Sequence, residues 1–128
     1  MRNLAATLFL LLCLSSIVSA DPATECGGSS QVEVGDCVAD TLQRVNTTVD
    51  IYLGFAMSSA EELDEVTGRK VAVPALEAAQ ATWSAYRDAQ CGYVGATFGG
   101  GSGTGIAINS CKIELGRNRA EELMRYVQ

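Results

Sequence analysis

Residues 76 to 91, Leu76-Glu-Ala-Ala-Gln80-Ala-Thr-Trp83-Ser-Ala-Tyr86-Arg87-Asp88-Ala-Gln-Cys91, carry the clearest helical pattern of the chain and its only tryptophan. Apolar residues recur there at steps of three, four and three, which places them on one face of an α-helix. Pro74 favours a helix start, and Gly92 can take the left-handed conformation that ends helices. The sequence therefore predicts a helix over residues 74 to 91, with a core-facing stripe of Leu76, Ala79, Trp83 and Tyr86.

A second stripe on this helix contains Trp83, Arg87 and Cys91, which are four residues apart. The Arg87 guanidinium is expected to stack on the Trp83 indole and to donate hydrogen bonds to a carboxylate or to helix-end carbonyls. Aromatic residues at helical spacing are usually core, so the stripe is interpreted as a buried structural anchor. A ligand site is the alternative.

A longer helical pattern precedes this helix. Apolar residues from Val38 to Ala56 recur at steps of four and three, and the pattern continues through Leu63 to a stop at Thr67-Gly68. Ser59 with Glu62 also fits a capping box, which leaves a separate short helix as an alternative. The predicted core stripe is Val38, Leu42, Val45, Val49, Tyr52 and Ala56. The sequon Asn46-Thr47-Thr48 lies inside this pattern and is discounted as a glycosylation site.

The last helix is predicted from about Ile106 to Tyr126. Gly116 weakens its middle by about 1 kcal/mol relative to alanine. Arg117 and Arg119 are expected to pair with acids one turn away, namely Glu114, Glu121 or Glu122. The predicted inward face is Ile108, Cys111, Leu115, Glu122 and Tyr126, with Leu123 and Val127 beside it. Three helices account for nearly the whole chain after residue 31, so we expect a small all-α bundle.

Half of the residues from Gly92 to Gly105 are glycine. The segment lacks the Lys-Ser or Lys-Thr pair and the preceding strand of a phosphate-binding loop. It is therefore interpreted as a mobile loop before the last helix, anchored by Tyr93 and Phe98. Such a loop can carry partner recognition, which singles out Gly99, Gly100, Gly101 and Ser102.

Residues 1 to 20 have the pattern of a secretory signal: Arg2, an apolar run from Leu4 to Val18, and small residues ending at Ala20. Cys13 falls inside the run that cleavage would discard. The chain is therefore expected to be secreted or periplasmic, with one domain over residues 21 to 128. No later segment is long enough to cross a bilayer, so we expect no membrane anchor. Residues 21 to 31 are polar and Gly-rich, with Gly27-Gly28-Ser29-Ser30 expected as a flexible entry and Cys26 as the residue that ties the segment down.

Cleavage after Ala20 would remove one basic residue and no acid, leaving 8 basic and 15 acidic residues and a net charge of −7. This charge argues against nucleic acid and anionic membranes as partners and favours a cationic partner. Four cysteines remain, and an even number in a small exported chain predicts two disulfides and no free thiol. Local pairing, Cys26 with Cys37 and Cys91 with Cys111, is preferred, and Cys37 with Cys91 is the alternative.

Nothing in the sequence points to catalysis. The chain contains no histidine, its cysteines are expected to be oxidised, and no serine lies in a nucleophile motif. The acidic cluster lacks the alternating ligands and glycine of a calcium loop, so it is interpreted as a solvated helix face. This cluster is Glu61, Glu62, Asp64 and Glu65. We expect no catalytic residue, no cofactor and no metal.

The stretch quoted first resembles the signature of the lysozyme-inhibitor LprI N-terminal domain family, a group of small exported bacterial proteins. Its motif residues are Gln80, Trp83, Tyr86, Arg87 and Asp88, followed by Cys91. The likeness extends to the first cysteine pair, to the loop at 100 to 102, and to the last helix at Cys111, Leu115, Arg117, Arg119 and Leu123. The first long helix departs from the family pattern. The family usually has an Asp, a Leu-Asn pair and a Tyr there, and only Tyr52 is clearly retained in this chain.

The resemblance implies a non-enzymatic protein that inhibits lysozyme. An acidic exported chain would be steered toward a cationic lysozyme at low salt, which agrees with this reading. The alternative is a structural or stress module of the cell envelope that binds another protein or a cell-wall component. The sequence leaves the oligomeric state open.

Overall fold

A computed structural model describes residues 20 to 127 and contains four helices and no strand within that range. The helices are α1 (Pro22–Cys26), α2 (Gln31–Thr67), α3 (Ala72–Ala96) and α4 (Thr104–Met124). The predicted all-α class is confirmed. Most of the predicted secretory signal, including Cys13, lies outside the described residues.

Helix α1 was not predicted, and it lies in the polar segment just before the expected flexible entry, Gly27 to Ser30, which falls between α1 and α2. Asp21 caps this helix by accepting a hydrogen bond from the Ala23 amide, and Pro22 occupies its first turn and is buried. An Asp-Pro pair is a helix-start signal, because the carboxylate caps free amides and proline loses no hydrogen bond there. The pair Asp21-Pro22 therefore marks the start of α1 in the sequence, although this helix was not predicted.

Helix α2 runs unbroken for 37 residues, or ~55 Å at 1.5 Å per residue. The Ser30 hydroxyl accepts the Glu33 amide at its start, and the Glu33 carboxylate accepts the Ser29 amide. At its end Gly68 takes the left-handed conformation, with φ 68°. The predicted stop at Thr67-Gly68 is confirmed, and the continuous helix excludes a separate helix starting at Ser59.

Helix α3 is longer at both ends than predicted. It starts at Ala72, two residues before Pro74, and it passes through Gly92 to end at Ala96. Glycine permits a helix end but does not impose one, so Gly92 remains helical. The segment between α3 and α4 is consequently shorter than the Gly-rich stretch and covers residues 97 to 103.

Helix α4 packs against α1, α2 and α3, and its most extensive contact is with α2. The main hydrophobic cluster forms where α4 meets α2, and Leu76 and Trp83 of α3 pack on its edge. Its buried members are Val49, Ala56, Ala120 and Leu123. Positions on α2 and α4 rise in number together along their contact, from Gly35 beside Ile106 to Val45 beside Gly116, so these two helices are parallel.

The inward face of α4 differs from the prediction. The residues that are buried are Ser110, Ile113, Gly116, Ala120 and Leu123, whereas Glu122 is exposed and Tyr126 is 75% exposed. Small residues allow α4 to approach α2, while Ile108, Cys111 and Leu115 of the predicted face are half-buried. The same error affects α3, where Tyr86 is 53% exposed and Ala79 is also exposed.

Two disulfides connect neighbouring helices. Cys26 at the end of α1 pairs with Cys37 in α2, and Cys91 in α3 pairs with Cys111 in α4. This is the local pairing scheme. In a domain of this size each bridge contributes on the order of 3 kcal/mol to stability, mainly by restricting the unfolded chain.

Candidate functional site

Arg87, in the centre of the sequence motif, ties three helices together. Its Nε and Nη2 atoms donate to the Lys112 carbonyl of α4, at 3.1 Å and 2.7 Å. Nη2 also donates to Asn46 Oδ1 of α2 at 2.8 Å. The guanidinium carbon lies 5.1 Å from the centre of the Trp83 ring, which confirms the predicted stacking. Burial lowers the pKa of Arg87, and nearby Asp88 and Asp50 oppose that change.

A second arginine lies near Trp83. The guanidinium carbon of Arg119 is 5.9 Å from the Trp83 ring centre, and its Nε donates to Gln80 Oε1 at 3.0 Å. Arg119 also pairs with Glu122 at 3.2 Å, as the spacing predicted. Arg117, in contrast, pairs with Glu25 of α1 and not with an acid of its own helix. The prediction for Arg117 was wrong because α1 was not foreseen.

The remaining motif residues differ in whether they contact another helix. Asp88 forms an ion pair with Lys112 of α4 at 2.9 Å, and this hydrogen bond holds the pKa of Asp88 below its usual value. Tyr86 lies on the exposed side of α3. Four of the five motif residues, namely Gln80, Trp83, Arg87 and Asp88, thus make contacts between helices. Gln80 and Arg87 use their polar groups in these contacts, Trp83 uses its ring, and the Asp88 side chain stays 69% exposed.

The Gly-rich loop lies at one end of the bundle. Residues 99 to 102 are exposed, and Gly99 and Gly100 have positive φ values of 60° and 78°. A cleft of ≈490 Å³ beside the loop is lined by Val34, Phe98 and Ile106, among others. Ser110 lies in its wall, buried, with no hydrogen-bond partner for its hydroxyl among the described residues. No charged side chain occurs from Gly92 to Cys111. Partner recognition by Gly99, Gly100, Gly101 and Ser102 stays a prediction.

The α2–α3 tip, defined as residues 66 to 71, lies at the opposite end and is organised by Asp64. The Asp64 carboxylate accepts three backbone hydrogen bonds, from Val71 at 2.9 Å, Ala72 at 2.8 Å and Val73 at 3.0 Å. Asp64 is only 8% exposed. Hydrogen bonds from Ala72, Val73 and Val71, in that order, lower its pKa.

This role corrects the interpretation of the acidic cluster. Glu61, Glu62 and Glu65 are exposed, as a solvated face requires, but Asp64 is buried and caps the start of α3. An aspartate caps free helix amides well because a carboxylate accepts several hydrogen bonds and opposes the positive end of the helix dipole. The capping role of Asp64 could not be recognised from the sequence, because the amides that it caps follow it by seven to nine residues.

The tip carries two adjacent cations. Arg69 and Lys70 are exposed, and neither forms an ion pair within residues 20 to 127. Lys70 has φ 48°, the only positive value for a residue other than glycine in the described part of the chain. Such a conformation is uncommon for a side-chain-bearing residue.

Comparison with known proteins places the chain in a family. The family model described as Lysozyme inhibitor LprI matches residues 23 to 123. The chain belongs to the lysozyme inhibitor LprI family. A protein of Rhizobium meliloti (strain 1021), described as uncharacterised, is 30% identical over 135 aligned positions, which cover all of this chain and 97% of that protein. No solved structure matches the chain.

Membership of the LprI family confirms the resemblance that began with residues 76 to 91. The family description is that of an inhibitor, which is non-enzymatic in kind and acts on a protein. The two disulfides agree with an extracytoplasmic location for this LprI-family chain.

Two further features of the LprI-family structure bear on its chemistry. Within residues 20 to 127, no group of three or more His, Cys, Asp or Glu side chains is arranged to hold a metal ion. Of the four helices described, none is both long and apolar enough to span a membrane. The candidate functional features are the two ends of the bundle, the Gly-rich loop and the α2–α3 tip.

Proposed function

We propose that this LprI-family protein is an exported inhibitor that binds a cationic lysozyme and has no catalytic role of its own. The observation that carries this proposal is the family match over residues 23 to 123. The net charge of −7 expected after cleavage supports a cationic partner, because opposite charges accelerate encounter.

Export is part of the proposal. A secretory signal over residues 1 to 20, cleaved after Ala20, would deliver one domain of residues 21 to 128 to the periplasm or beyond. Disulfides persist in those oxidising compartments, which agrees with the two helix-linking bridges. Lysozyme attacks the cell wall there, so inhibitor and target would meet.

Inhibition by occlusion fits the side chains that the chain offers. It has no histidine, and its four cysteines within residues 20 to 127 are paired. The polar motif residues are held in contacts between helices. Binding over the substrate cleft of a lysozyme needs none of this chemistry, only a rigid and complementary surface.

The test is a binding titration of purified residues 21 to 128 against cationic and neutral lysozymes, at low salt and at about 0.15 M ionic strength, where the screening length is about 8 Å. We expect affinity for a cationic lysozyme that weakens with salt but persists at the higher concentration. The same chain with both disulfides reduced and alkylated is the matched control, because it keeps all acidic and basic groups. Absence of binding to every lysozyme would contradict the proposal and favour a cell-envelope module with another partner.

A further inference from the structure

We infer that the α2–α3 tip, residues 66 to 71, enters the substrate cleft of the lysozyme, with Arg69 and Lys70 facing the catalytic carboxyl groups. The inference rests on the proposed inhibitor function and names the element that carries it. Six properties of the tip support it: its position, its rigidity, its charge, its backbone conformation, its exposed apolar side chains and the acidic residues next to it.

The tip projects from the bundle. Ala56 is the last α2 residue in the main hydrophobic cluster, where it packs with Leu123 close to the end of α4. Helix α2 continues to Thr67, eleven residues or roughly 16 Å further. The end of α2, the tip and the start of α3 therefore form a narrow projection that a concave substrate cleft can receive.

The tip is also preorganised. Asp64 fixes the amides of Val71, Ala72 and Val73, and the Gly68 amide donates to the Asp64 carbonyl at 2.9 Å. Asp64 therefore holds the end of α2 through its backbone carbonyl and the start of α3 through its side chain. A segment that is already ordered loses little conformational entropy on binding, which favours affinity.

The charge of the tip opposes that of the chain. Arg69 and Lys70 are two of only eight basic residues expected after cleavage, and they are adjacent and exposed. Lysozyme places two carboxyl groups about 5 Å apart at its catalytic centre, as retaining glycosidases do. A guanidinium and an ammonium at the end of a rigid projection complement such a pair.

The backbone conformation of Lys70 also supports a binding role for the tip. Glycine or asparagine would take φ 48° with less strain, yet a lysine occupies the position. Residues in uncommon backbone conformations cluster at binding sites, where the chain retains them for the direction in which they project a side chain.

Apolar side chains surround the two cations. Val66 is 79% exposed, Leu63 is 54% exposed and Val71 is 52% exposed. Exposed apolar residues that flank a few charged groups are typical of the centre of a protein interface. The cleft of ≈750 Å³ at the base of the projection, lined by Leu63, Val66 and Leu76 among others, extends this surface.

Acidic residues lie behind the tip. Glu61, Glu62 and Glu65 are exposed on the last turns of α2. The cationic tip complements the acidic substrate cleft of the enzyme. The three glutamates next to the tip complement the cationic surface around that cleft. The opposite end of the bundle has no such pattern, because residues 20 to 43 and 92 to 111 contain neither lysine nor arginine.

The experiment compares inhibition constants for hydrolysis of a soluble oligosaccharide by a cationic lysozyme. The tip variants are Arg69→Ala and Lys70→Gly, the second of which keeps the left-handed backbone available. The control is Arg44→Ala, because Arg44 is also exposed, donates a hydrogen bond to Thr41 of its own helix, and carries the same charge. Phe98→Ala tests the loop end, and thermal unfolding of each variant checks the fold.

We expect each tip variant to inhibit at least about tenfold less well than the wild type, a loss of about 1.4 kcal/mol of binding free energy. Arg44→Ala and Phe98→Ala should stay within about twofold, and the wild type should compete with the oligosaccharide. If the wild type inhibits but the tip variants match it, or inhibition is not competitive, the tip assignment is overturned and the inhibitor function stands. A wild type that inhibits no lysozyme overturns both.

Discussion

At residue 116 the absence of a side chain sets the distance between two helices. A Cβ atom added to Gly116 would lie 2.5 Å from Val45 Cγ1 of α2 and 3.2 Å from Arg87 Nη2. Gly116 was predicted only as a weak point of the last helix, because sequence shows the cost of glycine in a helix and not the neighbour that requires it. The close approach of Gly116 to Val45 allows α4 to pack tightly against α2.

Gly116→Ala should therefore destabilise the protein by about 1 to 3 kcal/mol, because overpacking outweighs the gain in helix propensity. Gly54→Ala is the matched control, since Gly54 lies inside α2 with nothing within 4 Å of an added Cβ. It should stabilise by up to about 1 kcal/mol. Urea unfolding of the two variants measures the difference, and equal stability would contradict the close packing at Gly116.

Asp64 is the second residue with an effect beyond its own helix. Asp64→Asn removes the charge and one of the two acceptor oxygens, so it should lower the melting temperature by about 5 °C or more, a shift typical of a lost helix cap. Glu65→Gln, an exposed neighbour with the same loss of charge, should change it by less than about 2 °C. Equal effects of the two substitutions would contradict the capping role.

The contribution of Asp64 also depends on pH in a defined direction. Its pKa in the folded protein is below the ordinary aspartate value of 3.8. The stabilisation is therefore fully present above that value and is lost as pH falls through the lower folded pKa. The difference in unfolding free energy between wild type and Asp64→Asn should stay constant near neutral pH and shrink below about pH 4. A difference that grew on acidification would contradict the lowered pKa.

At the scale of single elements, helix α3 shows what periodicity identifies and what it misses. The stretch from Leu76 to Cys91 predicted a helix, and the structure contains one. The inward face differs, since Gln80 and Arg87 contribute to it while Tyr86 does not. A pattern based on apolar residues cannot assign polar residues to a core, because their burial depends on partners supplied by other helices.

Arg87→Ala should lower the free energy of unfolding by about 2 to 3 kcal/mol, because it leaves the Asn46 side chain without its charged partner and removes the stacking on Trp83. Arg87→Lys should recover little, since one ammonium cannot reproduce the two-pronged contact with the Lys112 carbonyl. Arg44→Ala is the control. Lysozyme binding by Arg87→Ala should persist below its melting temperature. Wild-type stability with lost binding would show instead that Arg87 contacts the partner.

At the scale of the whole molecule, the fold class, the three long helices and the family followed from the sequence. Each depends on local features, namely helical spacing, the stop at Gly68 and the motif that ends at Cys91. The close packing of α4 on α2 and the contact of Arg117 with α1 did not follow, because they depend on which helices meet. The α2–α3 tip was missed for the same reason, since its organiser Asp64 was grouped with exposed acids.

The measurement that tests lysozyme inhibition most directly is the initial rate at which a cationic lysozyme hydrolyses a small soluble oligosaccharide at about 0.15 M salt. A soluble substrate excludes effects on the charged cell wall, and this ionic strength screens loose attraction between an acidic and a basic protein over about 8 Å. We predict a rate that falls with added residues 21 to 128 and approaches zero at saturation. An unchanged rate at a large excess of the protein would contradict inhibition of that lysozyme.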